Sequence, residues 1–354
     1  MKIAITADCH LRSDASGSER LTAFEKILGR MLELEISTLI IAGDLFDKDA
    51  NNYSKFEDVI GRKKFSGIEI FTVRGNHDIN IHPSQFRASN FHVIDKPRWI
   101  GKDTYGVNIL FIPYLPHSKM AVEIEKMEEP RVENRWVLIS HGSFLQGNRD
   151  VDPYEKGIYM PLLGADIQQY KPSKVFIGHI HKPFDSNKVV IPGSPCGLDI
   201  TESGKRSFIV FDTTTLEYER EIIDSEIIFI NDELSMIPSD HEEEFIKKEM
   251  QELFARWQID TADRKKIVLR LAVCGYSSNV RNAKKWFDSA LEGVKMYKNH
   301  PIDFTELKIS NDKDRDFIIK QFEDLLEKEV KNQNVNSEFV NAIKRSALEL
   351  VYGE

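Results

Sequence analysis

Five short polar stretches, each placed directly after an apolar run, constrain this sequence most strongly. Apolar runs rich in β-branched residues predict buried strands, and the polar residues mark where each strand stops. The clearest case is Gly178-His179-Ile180-His181, which closes residues 175–177. The other four stretches follow the same rule, and they are Asp8-Cys9-His10, Gly43-Asp44-Leu45-Phe46-Asp47, Gly75-Asn76-His77-Asp78 and Ser140-His141-Gly142.

Helical patterns lie between these strands. Apolar residues recur at helical spacing from residue 21 to residue 32, and a second helix is predicted between residues 54 and 65. Strands that alternate with helices predict an α/β core, in which functional groups collect beyond the carboxyl ends of the strands. Because residues two apart in an extended segment point to the same side, we expect His179 and His181 to face one space.

The chain has 354 residues, which predicts more than one domain. We expect a first domain at residues 1–225, completed by β-structure from residue 187 to residue 223. A small α/β domain is predicted at residues 226–310. Residues 311–354 predict two amphipathic helices that are joined at residues 331–336.

Composition limits the compartment and the partners. No apolar run is long enough for a membrane span, and the N-terminus runs directly into a strand, so we expect no signal peptide. Three cysteines lie far apart without zinc-finger spacing, which indicates a reducing compartment. We therefore expect a cytoplasmic protein, nucleoid-associated or phage-encoded. The net charge of −9 counts against nucleic acid, although basic clusters such as Arg62-Lys63-Lys64 exist; taken singly, each is explained by a solvated surface.

The polar residues at the strand ends form a set of carboxylate, amide and imidazole ligands without a thiolate. Such a set is larger than one tetrahedral ion takes, but it serves two divalent cations that share a bridging carboxylate. Mn²⁺ suits these ligands, and Zn²⁺ and Fe²⁺ remain alternatives. Each residue alone has an ordinary explanation as a turn or core residue, whereas five coincidences at successive strand ends are improbable. The predicted metal ligands are Asp8, His10, Asp44, Asn76, His141, His179 and His181.

His77 follows the predicted ligand Asn76 directly, so the two are not expected to bind the same cation. A histidine beside the metals can donate a proton to a leaving oxygen, and it needs a carboxylate that fixes its orientation. Asp47 and Asp78 are the two candidates for that carboxylate. Cys9 stands between two predicted ligands, and we expect it to face the core.

These five stretches resemble the signatures of the calcineurin-like metallophosphoesterase superfamily in order and spacing. The resemblance spans about the first two hundred residues and implies a four-layer α/β/β/α sandwich with two central sheets. It also implies that Asp47 orients His77 and that Asp78 is structural. The implied division of ligands places Asp8, His10 and His181 on one cation, Asn76, His141 and His179 on the other, and Asp44 between them.

Two motifs resemble one branch of that superfamily, the SbcD-type nuclease subunits of DNA double-strand-break repair. They are Gly178-His179-Ile180-His181-Lys182-Pro183 and Pro192-Gly193-Ser194-Pro195. The resemblance implies that residues 226–310 form a capping domain that positions DNA. It further implies that residues 311–354 bind an SMC-like ABC ATPase of the SbcC type, and that the protein forms a homodimer. Residues 79–90 do not match the pattern, and Ser140 stands where many relatives have glycine.

The sequence therefore predicts a two-metal DNA exo- and endonuclease that acts with an ATPase partner. A metal-bound hydroxide is expected to attack phosphorus while His77 assists the departing sugar oxygen. One alternative is a small-molecule phosphodiesterase or phosphatase of the same superfamily. Another is a non-enzymatic scaffold that regulates an ATPase. For the C-terminal helices, packing on their own domain is the alternative to partner binding.

Overall fold

The computed structural model describes residues 1–13, 17–101, 106–127, 135–145, 157–332 and 337–353. They divide into two compact units. The first comprises residues 1–198 and 205–226, and the second comprises residues 199–204 and 227–354. No helix in the described part of the chain is both long and apolar enough to cross a membrane.

The first unit contains a mixed sheet with six strands in the described residues. Four neighbouring strands are parallel, and two antiparallel strands extend the sheet on the side of the first strand. Buried apolar residues, many of them β-branched, fill the inner strands, as expected for strands covered on both faces, whereas the outermost antiparallel strand has no buried residue. In spatial order the strands are β14 (Glu217–Ile222), β13 (Ser207–Asp212), β1 (Lys2–Thr6), β2 (Thr38–Ile41), β3 (Glu69–Val73) and β4 (Phe91–Ile94).

A second six-stranded sheet belongs to the same unit. Its four central strands are parallel, and the strand at each edge is antiparallel. The register places Gly178 opposite His141, so the ends of two central strands coincide. In spatial order the strands are β11 (Phe184–Asp185), β12 (Val189–Ile191), β10 (Lys174–Gly178), β7 (Trp136–His141), β6 (Asn108–Ile112) and β5 (Arg98–Ile100). A short ribbon pairs β8 (Phe144–Leu145) with β9 (Leu162–Leu163).

Three apolar cores give the first unit its layers. Helix α1 (Ser18–Glu33) and helix α2 (Ser54–Ile60) pack on one face of the first sheet, where Phe24 is fully buried. A second core joins both sheets, and it includes Ile5 of β1 and Phe176 of β10. The third core packs helix α3 (Met120–Lys126) against the far face of the second sheet, with helix α4 (Gly164–Tyr170) contributing Ile167. The α/β fold class, with helices outside two central sheets, is confirmed.

The second unit is a smaller α/β unit. Strand β15 (Ile228–Met236) pairs in parallel with strand β16 (Ile267–Ser277) over nine residues. Two short strands, β17 (Lys295–Met296) and β18 (Leu307–Ile309), pair with β16 at different positions. Its core contains apolar side chains from the strands and from helices α5 (Glu242–Arg256) and α6 (Val280–Ala290).

The last two helices also belong to the second unit. Helix α7 (Lys313–Asn332) and helix α8 (Ser337–Tyr352) contribute Ile319, Leu348 and Tyr352 to a small apolar cluster. The rings of Tyr276 and Tyr352 stack with their centroids 3.8 Å apart. The predicted joint at residues 331–336 lies mostly outside the described residues, and the separate roles predicted for residues 226–310 and 311–354 stay predictions.

Candidate metal centre

The loops that follow strands β1 and β2 run side by side. The Asp8 N–H donates to the Gly43 carbonyl at 3.1 Å, and the His10 N–H donates to the Asp44 carbonyl at 3.0 Å. These bonds continue the parallel pairing of β1 and β2 past the last residue of each strand. Asp8, His10 and Asp44 are consequently held at one edge of the first sheet.

The backbone is left-handed at four of the predicted ligands. The angle φ is 54° at Asp8, 44° at His10, 49° at Asp44 and 100° at His179. Side-chain-bearing residues rarely adopt such angles, and they do so most often at functional sites. The expected reason for the approach of His179 and His181, alternation along an extended segment, is therefore wrong. The backbone turns sharply at His179 instead.

The first ligand group joins two separate strand ends. Single ligand atoms of Asp8, His10 and His181 lie within 4.8 Å of one another. His10 Nε2 lies 3.0 Å from His181 Nε2 and 3.7 Å from Asp44 Oδ2. The structure thus brings together the three side chains that the resemblance assigns to one cation, with Asp44 next to them.

The second ligand group is centred on Asn76. Asn76 Oδ1 lies 2.8 Å from His141 Nε2 and 3.1 Å from His179 Nδ1. His141 Nε2 also lies 3.4 Å from Asp44 Oδ2. Asp44 is therefore near both groups, as a bridging carboxylate must be.

A main-chain carbonyl fixes the orientation of His141. This histidine is fully buried, and its Nδ1 lies 2.9 Å from the Ala42 carbonyl oxygen. A carbonyl only accepts hydrogen bonds, so Nδ1 carries the proton. The other ring nitrogen, Nε2, faces Asn76 and Asp44. Histidines that bind metals are usually oriented by such a bond at the other ring nitrogen.

Two glycines explain why glycine precedes these ligands in the sequence. A Cβ atom on Gly43, where φ is 91°, would lie 2.2 Å from His141 Nδ1. A Cβ atom on Gly75 would lie 2.0 Å from Asp44 Oδ1. Any side chain at either position would displace a predicted ligand, so the close approach of the loops requires glycine.

The donor set fits divalent cations. Asp8 Oδ1 accepts the His179 N–H at 2.8 Å, but Asp8 Oδ2 is buried and has no hydrogen-bond partner among the described residues. Two ring nitrogens, those of His10 and His181, face each other at 3.0 Å. A buried carboxylate oxygen without a partner costs free energy that a bound cation would offset. Oxygen and imidazole ligands without thiolate suit Mn²⁺, Zn²⁺ or Fe²⁺.

Burial and neighbouring charges shift the acid–base behaviour of these groups. Burial raises the pKa of Asp8 to about 6. Burial also opposes ionisation of Asp44, but the positive charge of His141 outweighs it and holds the pKa of Asp44 well below its usual range. Burial likewise opposes protonation of His141, yet the Asp44 carboxylate raises its pKa to about 9.

His77 lies beside both groups and faces Asp47. Its Nδ1 is 3.4 Å from Asp47 Oδ1, and this hydrogen bond holds the pKa of Asp47 well below its usual range. The His77 N–H donates to Asp44 Oδ1 at 2.8 Å. His77 also has a ligand atom within 4.8 Å of those of His10 and Asp44, so proximity alone does not separate a proton donor from a ligand.

Asp78 binds two loops together instead of facing His77. Its Oδ1 accepts the Gly75 N–H at 2.7 Å, and its Oδ2 accepts the Phe46 N–H at 3.1 Å. Burial, and next the negative charge of Asp44, raise the pKa of Asp78 to about 7. Of the two carboxylates considered for His77, the structure places Asp47 against it.

Sequence reasoning missed two arginines near the centre. Arg20, in the first turn of α1, donates to the His10 carbonyl at 2.7 Å and to Asp47 Oδ2 at 3.2 Å. Arg206 is buried, and it donates to the His181 carbonyl and to the Ser194 carbonyl. Neither arginine belongs to a motif, so the sequence offered no signal beyond a cation near a polar loop.

A two-sheet α/β sandwich with clustered carboxylate, amide and imidazole groups at its strand ends defines a class of metal-dependent hydrolases. Residues 1–183 match the family model described as calcineurin-like phosphoesterase. Because this match covers more than half of the chain, the protein belongs to the calcineurin-like phosphoesterase family. Membership implies a metal-dependent phosphoesterase, and the family typically binds two divalent cations.

More specific relatives are distant. A search of curated protein sequences finds no match. Among solved structures, the chain is similar to one described as a novel archaeal phosphodiesterase, with 17% identity and a TM-score of 0.35 over 63% of this chain and 100% of the other. A Thermus thermophilus protein shows 12% identity and a TM-score of 0.36 over 62% and 98% of the two chains. Scores this low add nothing to the family match.

Proposed function

We propose that this protein is a DNA exo- and endonuclease that uses two divalent cations, with Mn²⁺ as the preferred metal, and acts with an SMC-like ABC ATPase on DNA ends. The observation that carries the hydrolytic part is the convergence of the predicted ligands beside His77. The choice of DNA rests on the resemblance of the His179–His181 and Pro192–Pro195 motifs to SbcD-type subunits. Within the second unit, the α/β part followed by helices α7 and α8 is the order of elements expected of such a subunit.

The proposed ligands divide by the two groups already described. One cation would be held by Asp8, His10 and His181, and the other would be held by Asn76, His141 and His179. Asp44 would bind both cations. Bound there, the cations would polarise a phosphoryl oxygen of the substrate, make a water nucleophilic at neutral pH and stabilise the charge of the transition state.

The protein side chains handle the proton of the leaving group. With Nδ1 of His77 directed at Asp47, the carboxylate accepts the hydrogen on that nitrogen, and in this scheme Nε2 is the nitrogen that serves the substrate. The protonated ring carries a hydrogen on each nitrogen, and the one on Nε2 would pass to the departing sugar oxygen, which would otherwise leave as a strongly basic alkoxide. The ring is then neutral and keeps its other hydrogen on Nδ1, facing Asp47. In this scheme His77 is the general acid.

The last two helices offer a surface for an ATPase. Their exposed apolar side chains, each more than half exposed, are Phe317, Ile318, Leu325, Phe339 and Leu350. Helices with apolar residues directed at solvent are typical of helix-to-helix recognition. We propose that they contact the coiled coil of the ATPase. The homodimer implied by the resemblance is a further proposal, which molar-mass measurement in solution tests.

The central experiment compares substrates. Purified protein with Mn²⁺ is offered linear duplex DNA, single-stranded DNA, a cyclic nucleotide and bis(p-nitrophenyl) phosphate. We expect cleavage of DNA that is abolished by chelation and restored by Mn²⁺. Efficient turnover of the small diesters without cleavage of DNA would instead favour a small-molecule phosphodiesterase. No turnover of any substrate by a protein that binds two cations would favour the scaffold.

The partner proposal has its own test. The partner used is a purified SMC-like ABC ATPase with a long coiled coil, and its binding to this protein is measured by titration calorimetry. We expect the double variant Phe317→Ser, Leu325→Ser to weaken binding at least tenfold, since each removes exposed apolar area from α7. The matched control is Lys328→Ser on the same helix, which should change binding by less than about twofold. Equal binding by all three proteins would rule out this surface of α7.

A further inference from the structure

Arg20 contacts the carboxylate that faces the proposed general acid. Its side chain is only 13% exposed, although it projects from the first turn of α1. Nη1 donates to two acceptors, the main-chain carbonyl of His10 at 2.7 Å and Asp47 Oδ2 at 3.2 Å. One guanidinium nitrogen therefore joins a predicted metal ligand to the carboxylate that faces His77.

The two oxygens of Asp47 are divided between different partners. Oδ2 faces Arg20, while Oδ1 faces His77 Nδ1 at 3.4 Å and accepts the Lys48 N–H at 2.9 Å. The Asp47 N–H in turn donates to the Leu11 carbonyl at 3.0 Å. With the backbone and Oδ2 both held, the carboxylate is directed at His77.

Another imidazole competes for the same oxygen. Asp47 Oδ1 lies 4.0 Å from His10 Nδ1, so a small rotation of the carboxylate would turn it from His77 toward His10. The rings of His10 and His77 are edge-to-face with centroids 4.5 Å apart. The Nδ1 atoms of both rings lie within 4.0 Å of Asp47 Oδ1. The contact of Arg20 with Oδ2 opposes that rotation.

We propose that Arg20 is a positioning residue for proton delivery: it holds Asp47 so that Asp47 fixes the ring of His77 with Nε2 toward the leaving oxygen. This inference rests on the proposed role of His77. It assigns to Arg20 an effect on one step, departure of the leaving group, and no direct contact with the substrate. Charge-assisted bonds of this kind are the strong ones in a partly buried site, so their loss should be measurable.

Leaving-group chemistry separates this role from a structural one. A p-nitrophenolate departs readily without a proton, whereas a sugar alkoxide needs one. For Arg20→Met we expect kcat on a DNA oligonucleotide to fall by roughly 10- to 100-fold, part of the full effect of a general acid. On bis(p-nitrophenyl) phosphate we expect a change of less than about threefold. Arg20→Lys keeps the charge and a donor, and should recover part of the loss.

Two further measurements do not depend on turnover. In the metal-free protein, ¹⁵N NMR of the histidine rings should show His77 protonated at Nδ1 in the wild type and a mixture of tautomers in Arg20→Met. The bound cations, counted by elemental analysis, should equal those of the wild type. The control is Arg30→Met on the outer part of the same helix, whose partners Glu33 and Glu221 are remote from the site, and we expect it to change neither.

A double-mutant cycle tests whether Arg20 acts through Asp47. In an Asp47→Asn background, Arg20→Met should add less than about a twofold further loss on DNA, since the pathway is already broken. Additive losses, equal losses on both substrates, or loss of cations from Arg20→Met would overturn the inference and leave a role in holding the His10 loop. If His77→Ala itself shows no dependence on the leaving group, the proposed general acid is wrong and the role of Arg20 falls with it.

Discussion

The guanidinium of Arg206 donates to the main-chain carbonyl of His181, a predicted metal ligand. It also donates to Ser194 twice, to the carbonyl at 2.9 Å and to Oγ at 2.8 Å. The Ser194 N–H also donates to the His181 carbonyl, at 3.1 Å. The buried guanidinium of Arg206, directly before β13, thus joins two segments. They are His179–His181 and Pro192–Pro195, whose motifs resemble those of SbcD-type subunits.

Arg206→Met should loosen this joint. The change leaves buried acceptors on Ser194 and His181 without their charged donor, and we expect a loss of roughly 2–4 kcal/mol in the free energy of unfolding. Cation affinity should fall as well, because the carbonyl of His181 is no longer held. Denaturant unfolding and calorimetric cation titration measure the two effects. Lys2→Met, at an exposed pair with Glu219, serves as the control and should be near neutral.

Removing His77 and removing Asp44 should have different effects on turnover and on cation binding. We expect His77→Ala to keep its cations and to lose roughly two to four orders of magnitude in turnover, the range for a general acid. Asp44→Ala should lose the cations, since Asp44 lies near both ligand groups. Elemental analysis and steady-state kinetics on the two variants give the answer. Loss of cations from His77→Ala would show that His77 is a ligand, as its distance to His10 and Asp44 also allows.

Gly43 offers a test of the close approach between loops. Gly43→Ala places a Cβ atom 2.2 Å from His141 Nδ1 at a positive φ, so the imidazole must move away from Asn76 and Asp44. We expect a loss of about 2–4 kcal/mol in unfolding free energy and weaker binding of one cation. Gly29→Ala in α1 is the matched control, because nothing lies within 4 Å of its Cβ. That change should stabilise the protein by about 0.5–1 kcal/mol.

Asp78 should tolerate neither alanine nor asparagine. Each of its two oxygens accepts a main-chain N–H, from Gly75 and from Phe46. The amide of Asp78→Asn can accept only one of them, and its NH₂ group then faces the other N–H as a second donor. We expect both variants to lose roughly 1–3 kcal/mol in unfolding free energy, with fewer bound cations. An asparagine variant as stable as the wild type would contradict the assigned role of Asp78.

The residues of the candidate site could be predicted from the sequence because they stand at strand ends. Each predicted ligand follows an apolar run, and parallel strands bring their carboxyl ends to one edge, so the set of residues at the site followed from local pattern alone. The left-handed backbone at Asp8 and His179 did not follow, because it is imposed by packing between loops. Arg20 and Arg206 were missed for the same reason: their partners lie at least 10 residues away in sequence for Arg20 and at least 12 for Arg206.

The second unit contains two strands that the sequence pattern did not predict, β15 and β17. Helix α5 and strand β16 lie within residues 226–310, where the sequence predicts a small α/β domain. Strand β15 was not predicted, because Asn231, Asp232 and Glu233 interrupt its apolar pattern with polar residues. Parallel pairing with β16 compensates for that weak local signal. Helices α7 and α8 are the opposite case. Their apolar pattern predicted where they lie in the sequence, but it did not predict which residues they contact.

Lys344 tests how firmly helix α8 is held in the second unit. Its ammonium lies 3.2 Å from Glu323 of α7 and 3.5 Å from Glu249 of α5, and its side chain is 10% exposed. Burial opposes the charge, but the two carboxylates outweigh it and raise the pKa of Lys344. While the two glutamates are ionised, the raised lysine pKa contributes stability that is fully present below the ordinary lysine value, and that stability is lost as pH rises through the folded value.

Lys344→Met should therefore be costly at neutral pH. It leaves two half-buried glutamates facing each other without a cation, and we expect a loss of about 1–3 kcal/mol in unfolding free energy at pH 7. Near pH 4 the glutamates take up protons, so the difference from the wild type should shrink. Denaturant unfolding at both pH values measures it, with Lys247→Met on the exposed face of α5 as the control. An undiminished difference at pH 4 would mean that the methionine disturbs packing and that the ion pairs contribute little to holding α8.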